Sequence, residues 1–426
     1  MKLTKLYIHN YKSFYDTTIE FDKLNIIVGE NNSGKSNLID VLEFINIAMS
    51  KDIERAISDK GGYDNLKNYN ADEDKIIIRA TFYNDAKSNF YMLGKFIGII
   101  EAQGYITVSI SFSKKYSILS FFVDVKSKCL PTNGIKNIEK DSDLFQKIKR
   151  YKKIKFVFSI KKLYDKQSKK REKLFIYTLI HKKYIQECYM GILLYFKFFH
   201  TDSVIISNYI STYYFNSSLI RSHSSEEGTN ELKKDGSNLG KNLAYIKETD
   251  NNLFGTISNS LIGTVNEIDS IDIYNVAGSY IIAFKEKDKE INIKRVSDGT
   301  INLLTTITAL NQPFDNSSFL VFEEPERHLH LNAVTYLLEA FRASEKQILI
   351  TTHATEIIKY ADLKEIIFIY RDSDGDTQSI RADAIPNLKR KMKRLAYKRD
   401  VTLDELIGEG MIGTFRREEK REKEKI

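Results

Sequence analysis

Apolar and polar positions at the start of the chain follow first a strand period and then a helical one. Residues 3–8 and 17–21 alternate as half-buried strands do, and Leu24-Asn25-Ile26-Ile27-Val28 is a nearly unbroken apolar run that predicts a buried strand. From Lys35 the apolar residues Leu38, Val41, Leu42 and Ile45 recur at intervals of three and four, which predicts a helix. A glycine-bearing loop joins that strand to that helix. Alternation rich in aromatic and β-branched residues over 76–83, 105–112 and 118–125 predicts an antiparallel meander. Lysines interleaved with apolar residues over 146–185 suggest a basic strand pair turning near Asp165 to Lys170.

The second half changes rhythm. Residues 222–240 are crowded with Ser, Gly, Asn and Asp and predict a loop, and 242–268 predict a helical region. Strands are expected at 280–284 and 291–296, then a glycine turn and a helix from near Thr300. A buried strand at 318–322, a helix at 331–342 and a strand at 347–351 complete the pattern. Strands alternating with helices of this length predict a parallel sheet. The expected fold is therefore α/β, with a parallel sheet core, an antiparallel β subdomain and an inserted α+β subdomain. The domain boundaries read from the pattern are 1–84, 85–200, 201–380 and 381–426. The last segment carries a basic cluster, Lys389 to Arg399, and a mixed-charge tail.

Composition narrows the function classes. In 426 residues, 42% hydrophobic and 29% charged, there is too little apolar sequence for a polytopic membrane protein and too much for a disordered chain. The longest apolar stretch, 190–199, is too short for a bilayer, and residues 1–14 lack the pattern of a secretory leader. No membrane partner and a cytoplasmic location are expected. The two cysteines, Cys129 and Cys188, lie far apart and suggest neither a disulfide framework nor a zinc site. A net charge of +8 leaves DNA open as a partner without requiring it.

Four segments carry candidate chemistry. Gly29-Glu30-Asn31-Asn32-Ser33-Gly34-Lys35-Ser36 fits the phosphate-binding loop pattern and sits between a buried strand and a helix, where the mechanism needs it. Backbone N–H groups of such a loop wrap phosphates, and the helix N-terminus adds a favourable dipole. Candidate binding positions are Gly29, Asn31, Asn32, Ser33, Gly34, Lys35, Ser36 and Asn37. Lys35 would neutralise the β and γ phosphates, and Ser36 would ligate Mg²⁺. Glu323 and Glu324 follow an apolar strand directly, at the end where open α/β sheets bind ligands. There Glu323 would hold Mg²⁺, and Glu324 would orient or deprotonate an attacking water. Ser297, Asp298 and Gly299 precede a helix and offer anion-binding donors, with an ordinary N-cap turn as the competing reading. His353, after the next apolar strand, would reach a γ-phosphate or the attacking water. His328 and His330, two apart, are read as packing or loop residues, not a metal pair.

In chain order these segments resemble the ATPase head of the ABC superfamily, in the branch containing SMC, RecF and OLD-like proteins. IHNYKSF at 8–14 is similar to that branch's opening strand, VGENNSGKSNLIDVLEFI to its Walker A helix, and VFEEPERHLH to its Walker B segment. ITTHATEII resembles the switch-histidine segment, and VSDGTINLL a shortened signature. The chain is also similar to predicted bacterial AAA-type ATPases that carry an arginine segment, here Tyr213 to Arg221, followed by DGSNL, here Asp235 to Leu239. Such proteins often occur in anti-phage operons beside a separate effector. The resemblance implies an ABC-type ATPase head split between 1–84 and 201–380, and ATP and Mg²⁺ as ligands. It also implies a homodimer or higher oligomer in which Ser297 to Gly299 close the partner's site. Asn84 and Gln103 are candidates for the Q-loop. The leading function is a nucleotide-gated ATPase clamp or sensor working with a separate effector. Its alternatives are a RecF/SMC-like repair clamp that binds DNA directly and a non-hydrolysing ATP-bound scaffold.

Overall fold

Leu3, Leu6, Ile8 and Tyr11 of the opening strand are buried while Lys2 and Lys5 are exposed, so the chain begins as a sheet with one packed face. The computed structural model describes residues 1–92, 95–131, 154–165, 170–174, 209–222, 224–313, 317–385 and 388. Strands β1 (Lys2–Tyr11), β2 (Phe14–Glu20) and β3 (Leu24–Val28) lead into α1 (Lys35–Ser50), and the short helices α2 (Ile53–Asp59) and α3 (Tyr63–Leu66) follow. Next come β4 (Ile76–Met92), β5 (Lys95–Phe112), β6 (Tyr116–Pro131), β7 (Ile154–Asp165), β8 (Lys170–Leu174) and β9 (Ile210–Tyr213). The chain continues through α4 (Ser217–Ile220), β10 (Ser224–Ser225), α5 (Leu239–Thr249), α6 (Asn251–Ile262), β11 (Ser270–Val276), β12 (Ser279–Glu286) and β13 (Lys289–Asn292). It closes with α7 (Asp298–Leu310), β14 (Phe319–Glu323), α8 (Leu331–Ala343), β15 (Gln347–Thr352), α9 (Thr355–Tyr360), β16 (Ile366–Arg371) and β17 (Thr377–Arg381). No helix among the described residues is long and apolar enough to cross a membrane.

The chain divides into two compact units, Met1–Phe21 with Phe44–Ser207, and Asp22–Glu43 with Asn208–Ile426. The first holds a seven-stranded sheet in the order β2-β1-β4-β5-β6-β7-β8. All its pairings are antiparallel, and the lysine-dense pair meets at Asp165↔Lys170, as the spacing predicts. Its aromatic packing includes Phe44 stacked on Phe112, with ring centroids 5.1 Å apart.

The second unit is built on a six-stranded sheet in the order β17-β16-β3-β15-β14-β9. Neighbours from β16 to β9 are parallel, and β17 alone is antiparallel. The apolar run of β3 is buried at every position because strands flank it on both sides and side chains cover both faces. Register aligns Val28 with Thr352, and Glu323 with Thr351. The loops leaving β3, β14 and β15 therefore open at one end of the sheet, the end where ligands of such sheets bind. The α/β fold class, with its parallel core and antiparallel β sheet, is as expected.

Three local expectations are corrected. The helical region expected over 242–268 is two helices, starting at Leu239 and ending at Ile262. Asp250 interrupts it by turning its carboxylate to the Leu253 N–H as an N-cap. The strand expected over 291–296 stops at Asn292, whose side chain accepts the Lys294 N–H and winds 293–295 into a tight helical turn. Strand β11, not anticipated, completes a four-stranded sheet with β10, β12 and β13. The basic cluster 389–399 and Cys188 lie outside the described residues.

Candidate functional site

The loop after β3 needs backbone shapes that ordinary residues avoid. Asn32 (φ 68°) and Gly34 (φ 115°) turn through the left-handed region and bring the chain into the first turn of α1. Gly29 is required by proximity: a Cβ there would stand 2.3 Å from the Ile369 carbonyl oxygen of β16. The β16–β17 hairpin braces the loop from outside, with Arg371 Nε donating to the Asn32 carbonyl at 3.0 Å and Thr377 Oγ1 to the Ser33 carbonyl at 2.9 Å. Lys35 is buried, and its ammonium donates to the carbonyls of Gly29 and Glu30 at 2.8 Å each. Burial lowers its pKa, against the opposing pull of the Glu324, Glu30 and Glu323 carboxylates. Asn31 is exposed and Asn37 half-buried on α1.

Across from this loop, β14 ends in carboxylates. Ser36 Oγ lies 3.4 Å from Glu323 Oε1, so the first turn of α1 and the end of β14 meet through two oxygens. Glu324 has left the strand with a φ of 46°, held by its N–H to the Thr351 carbonyl at 3.0 Å. Its Oε1 is 3.5 Å from His353 Nε2, and its Oε2 accepts Arg327 Nε at 2.6 Å. His353 has its pKa lowered by burial and then by the Lys35 charge, so the imidazole is neutral at neutral pH. Glu326 is buried, accepts the Thr352 hydroxyl on Oε1 and leaves Oε2 without a partner. Burial raises its pKa. His328 adopts a left-handed φ of 64°, and His330 stands at the N-cap of α8.

The third segment stands apart from these contacts. Ser297 is the N-cap of α7, its hydroxyl accepting the Thr300 N–H at 3.1 Å. Asp298 pairs with Arg221, which lowers its pKa, and Arg221 Nη1 also donates to the Ile293 carbonyl at 2.8 Å. Gly299 packs against the turn after β14, since a Cβ would stand 2.2 Å from the His328 carbonyl oxygen. The arginine segment and the Asp235–Leu239 segment meet here, with the Asn216 N–H donating to the Asp235 carbonyl at 3.1 Å. Within the chain, the described contacts of Ser297 to Gly299 are with these neighbours and not with the loop after β3. Asn84 and Gln103 lie on β4 and β5, one register step apart (Asn84↔Gly104, Asp85↔Gln103).

Lys35, Ser36, Glu323, Glu324 and His353 are thus gathered at one end of the parallel sheet. Sequence reasoning missed Arg327, Asn302, Arg371 and Thr377. Arg327 follows Glu324 at a turn spacing and was legible in principle; Arg371 and Thr377 reach the loop only through sheet order.

This arrangement defines a phosphate-loop α/β protein. A model of the AAA ATPase domain family matches residues 1–358, and the chain belongs to that family. A Helicobacter pylori (strain ATCC 700392 / 26695) protein named ATP/GTP phosphatase is 54% identical over 39 residues. That match spans 9% of this chain and only 10% of the relative's length. Among solved structures, an SMC head bound to the C-winged helix domain of ScpA is similar at 16% identity and a TM-score of 0.48, over 89% of this chain and 98% of that one. The SMC head domain from Thermotoga maritima is similar at 14% identity and a TM-score of 0.41, over 89% and 99%. A Pyrococcus furiosus Smc head with an extended coiled coil, bound to the C-terminal domain of ScpA, is similar at 16% and 0.40, over 93% and 99%.

Proposed function

We propose that the chain binds ATP with Mg²⁺ and hydrolyses it to ADP and phosphate, and works as a nucleotide-gated dimeric clamp or sensor. The observation that carries this reading is the 3.4 Å approach of Ser36 Oγ to Glu323 Oε1 at the mouth of the glycine loop. A hydroxyl and a carboxylate beside a phosphate cradle are hard-oxygen donors of the kind Mg²⁺ takes, so the residues fit the metal and would hold it. Bound there, Mg²⁺ would supply charge neutralisation at the β and γ phosphates.

The protein groups have separable tasks. Lys35 would exchange its bonds to the Gly29 and Glu30 carbonyls for phosphate oxygens, a favourable exchange for a buried ammonium. The N–H groups from Asn31 to Asn37 would wrap the phosphates, with Arg371 and Thr377 keeping the loop in shape. Glu324 would orient the attacking water and take its proton, and His353, neutral, would hydrogen-bond that water or the γ-phosphate. Ser297, Asp298 and Gly299 would close the site of a second copy, so that binding locks a dimer or higher oligomer and hydrolysis releases it. The family resemblance supports a place in bacterial anti-phage defence with a separate effector, in the cytoplasm, with DNA as a further candidate partner.

The test is steady-state ATP hydrolysis by the wild type and by Glu324→Gln at matched concentration with Mg²⁺. Loss of about 100-fold or more in kcat is expected for removal of the base. Equal turnover in both proteins would remove Glu324 from the chemistry, and no turnover in either would favour the ATP-bound scaffold.

A further inference from the structure

We propose that Arg327 is a positioning residue that latches Glu324 while the site is at rest, and that helix α7 sets the latch. The proposal rests on the reading of Glu324 as the group that receives the water proton.

The latch is a closed turn with a side-chain clasp. Glu324 departs from β14 with a left-handed φ of 46°, and the Arg327 N–H returns to the Glu324 carbonyl at 3.2 Å. The side chains repeat the closure, Arg327 Nε donating to Glu324 Oε2 at 2.6 Å. Glu324 Oε1 faces His353 Nε2 at 3.5 Å. One carboxylate oxygen is therefore committed to a guanidinium and the other lies beside an imidazole. A general base must direct a lone pair at the proton it takes, and the guanidinium occupies one of the two on Oε2 and fixes the carboxylate's direction, so withdrawal of Arg327 frees that oxygen to turn toward water. Withdrawal is easy. The Arg327 side chain is 66% exposed, so water takes up its donors when it swings out, while the Glu324 side chain, 20% exposed, stays in place.

What holds the latch comes from another element. Asn302 Nδ2, one turn into α7, donates to the Arg327 carbonyl at 3.1 Å. Gly299, in the first turn of the same helix, lies so near the His328 carbonyl that a Cβ would stand 2.2 Å from its oxygen. Two successive residues of the turn are thus fastened to the helix that carries Ser297 to Gly299. A displacement of the N-terminal end of α7 moves the backbone of Arg327 with it, and the guanidinium moves relative to Glu324, which is fixed to β15 through its own N–H. Anything that engages Ser297 to Gly299 therefore acts on the carboxylate of the same chain.

The experiment is ATP turnover by the full chain carrying Arg327→Gln, Arg327→Lys, or Arg327→Gln combined with Glu324→Gln. Arg327→Gln is expected to raise kcat roughly twofold to fivefold, the range of an exposed ion pair, with KM unchanged. Arg327→Lys, which keeps a cation in reach, should bring kcat at least halfway back toward wild type. In the Glu324→Gln background Arg327→Gln should give no gain. A merely structural Arg327 would alter stability or KM without this split. An unchanged or lower kcat in Arg327→Gln, with wild type active, overturns the latch alone. Absence of turnover in wild type and in Arg327→Gln overturns both the latch and the hydrolytic reading.

Discussion

Glu326 shows how a single buried group couples the site to pH. Its Oε2 is buried without a partner, and burial raises its pKa above the usual 4.5. The folded chain therefore holds that proton to higher pH than the unfolded chain does. The cost of the carboxylate is absent below the unfolded pKa and fully present above the folded one. Glu326→Gln keeps an acceptor for the Thr352 hydroxyl and removes the charge. It is expected to raise Tm at pH 7 by about 2 °C or more, with the difference closing as pH falls toward 4. Thermal unfolding followed across that range checks it, and a pH-independent Tm difference would mean that the Glu326 carboxyl titrates alike in the folded and unfolded chain. His353 is perturbed in the opposite direction, its charged form disfavoured by burial and by Lys35. At neutral pH it is thus a hydrogen-bonding group and not a counter-ion for Glu324.

At the scale of elements, the glycine loop is shaped by a hairpin far from it in sequence. Arg371, on β16, reaches the Asn32 carbonyl, and the exposed setting of that bond means that little stability depends on it. Arg371→Ala should therefore leave Tm nearly unchanged while weakening ATP binding by roughly twofold to tenfold, since loop preorganisation is lost. Titration of a fluorescent ATP analogue with Mg²⁺ measures this, and unchanged affinity would reduce the bond to a surface contact. Helix α7 illustrates a different limit. Its start could be read from Ser297 and the apolar period that follows, but its burial along almost every position, Gly299 to Ala309, reflects neighbours on all sides that no local pattern reveals.

For the whole molecule, the expected consequence is a change of mass. With Glu324→Gln, ATP and Mg²⁺, light scattering should report twice the monomer mass of 49.4 kDa, returning to the monomer when ATP is replaced by ADP. An unchanged mass in ATP would sink the sandwich model for the isolated chain.

The strands β3, β14 and β15, the helix α1 and the phosphate loop were legible within one or two residues, because a buried parallel strand is an apolar run and a helix has a fixed period. Lys35, Ser36, Glu323, Glu324 and His353 could be singled out for the same reason: each sits at or just past the end of such an element. Their assembly at one sheet end depends on strand order β16-β3-β15-β14, which follows from long-range pairing and leaves no local trace. The same holds for the Arg327 clasp, the Asn302 tether, the Arg371 brace and the unpartnered oxygen of Glu326. Each is a relation between segments distant in the chain or a turn geometry set by them, and such relations acquire their energies only when tertiary packing has removed water and fixed the distances.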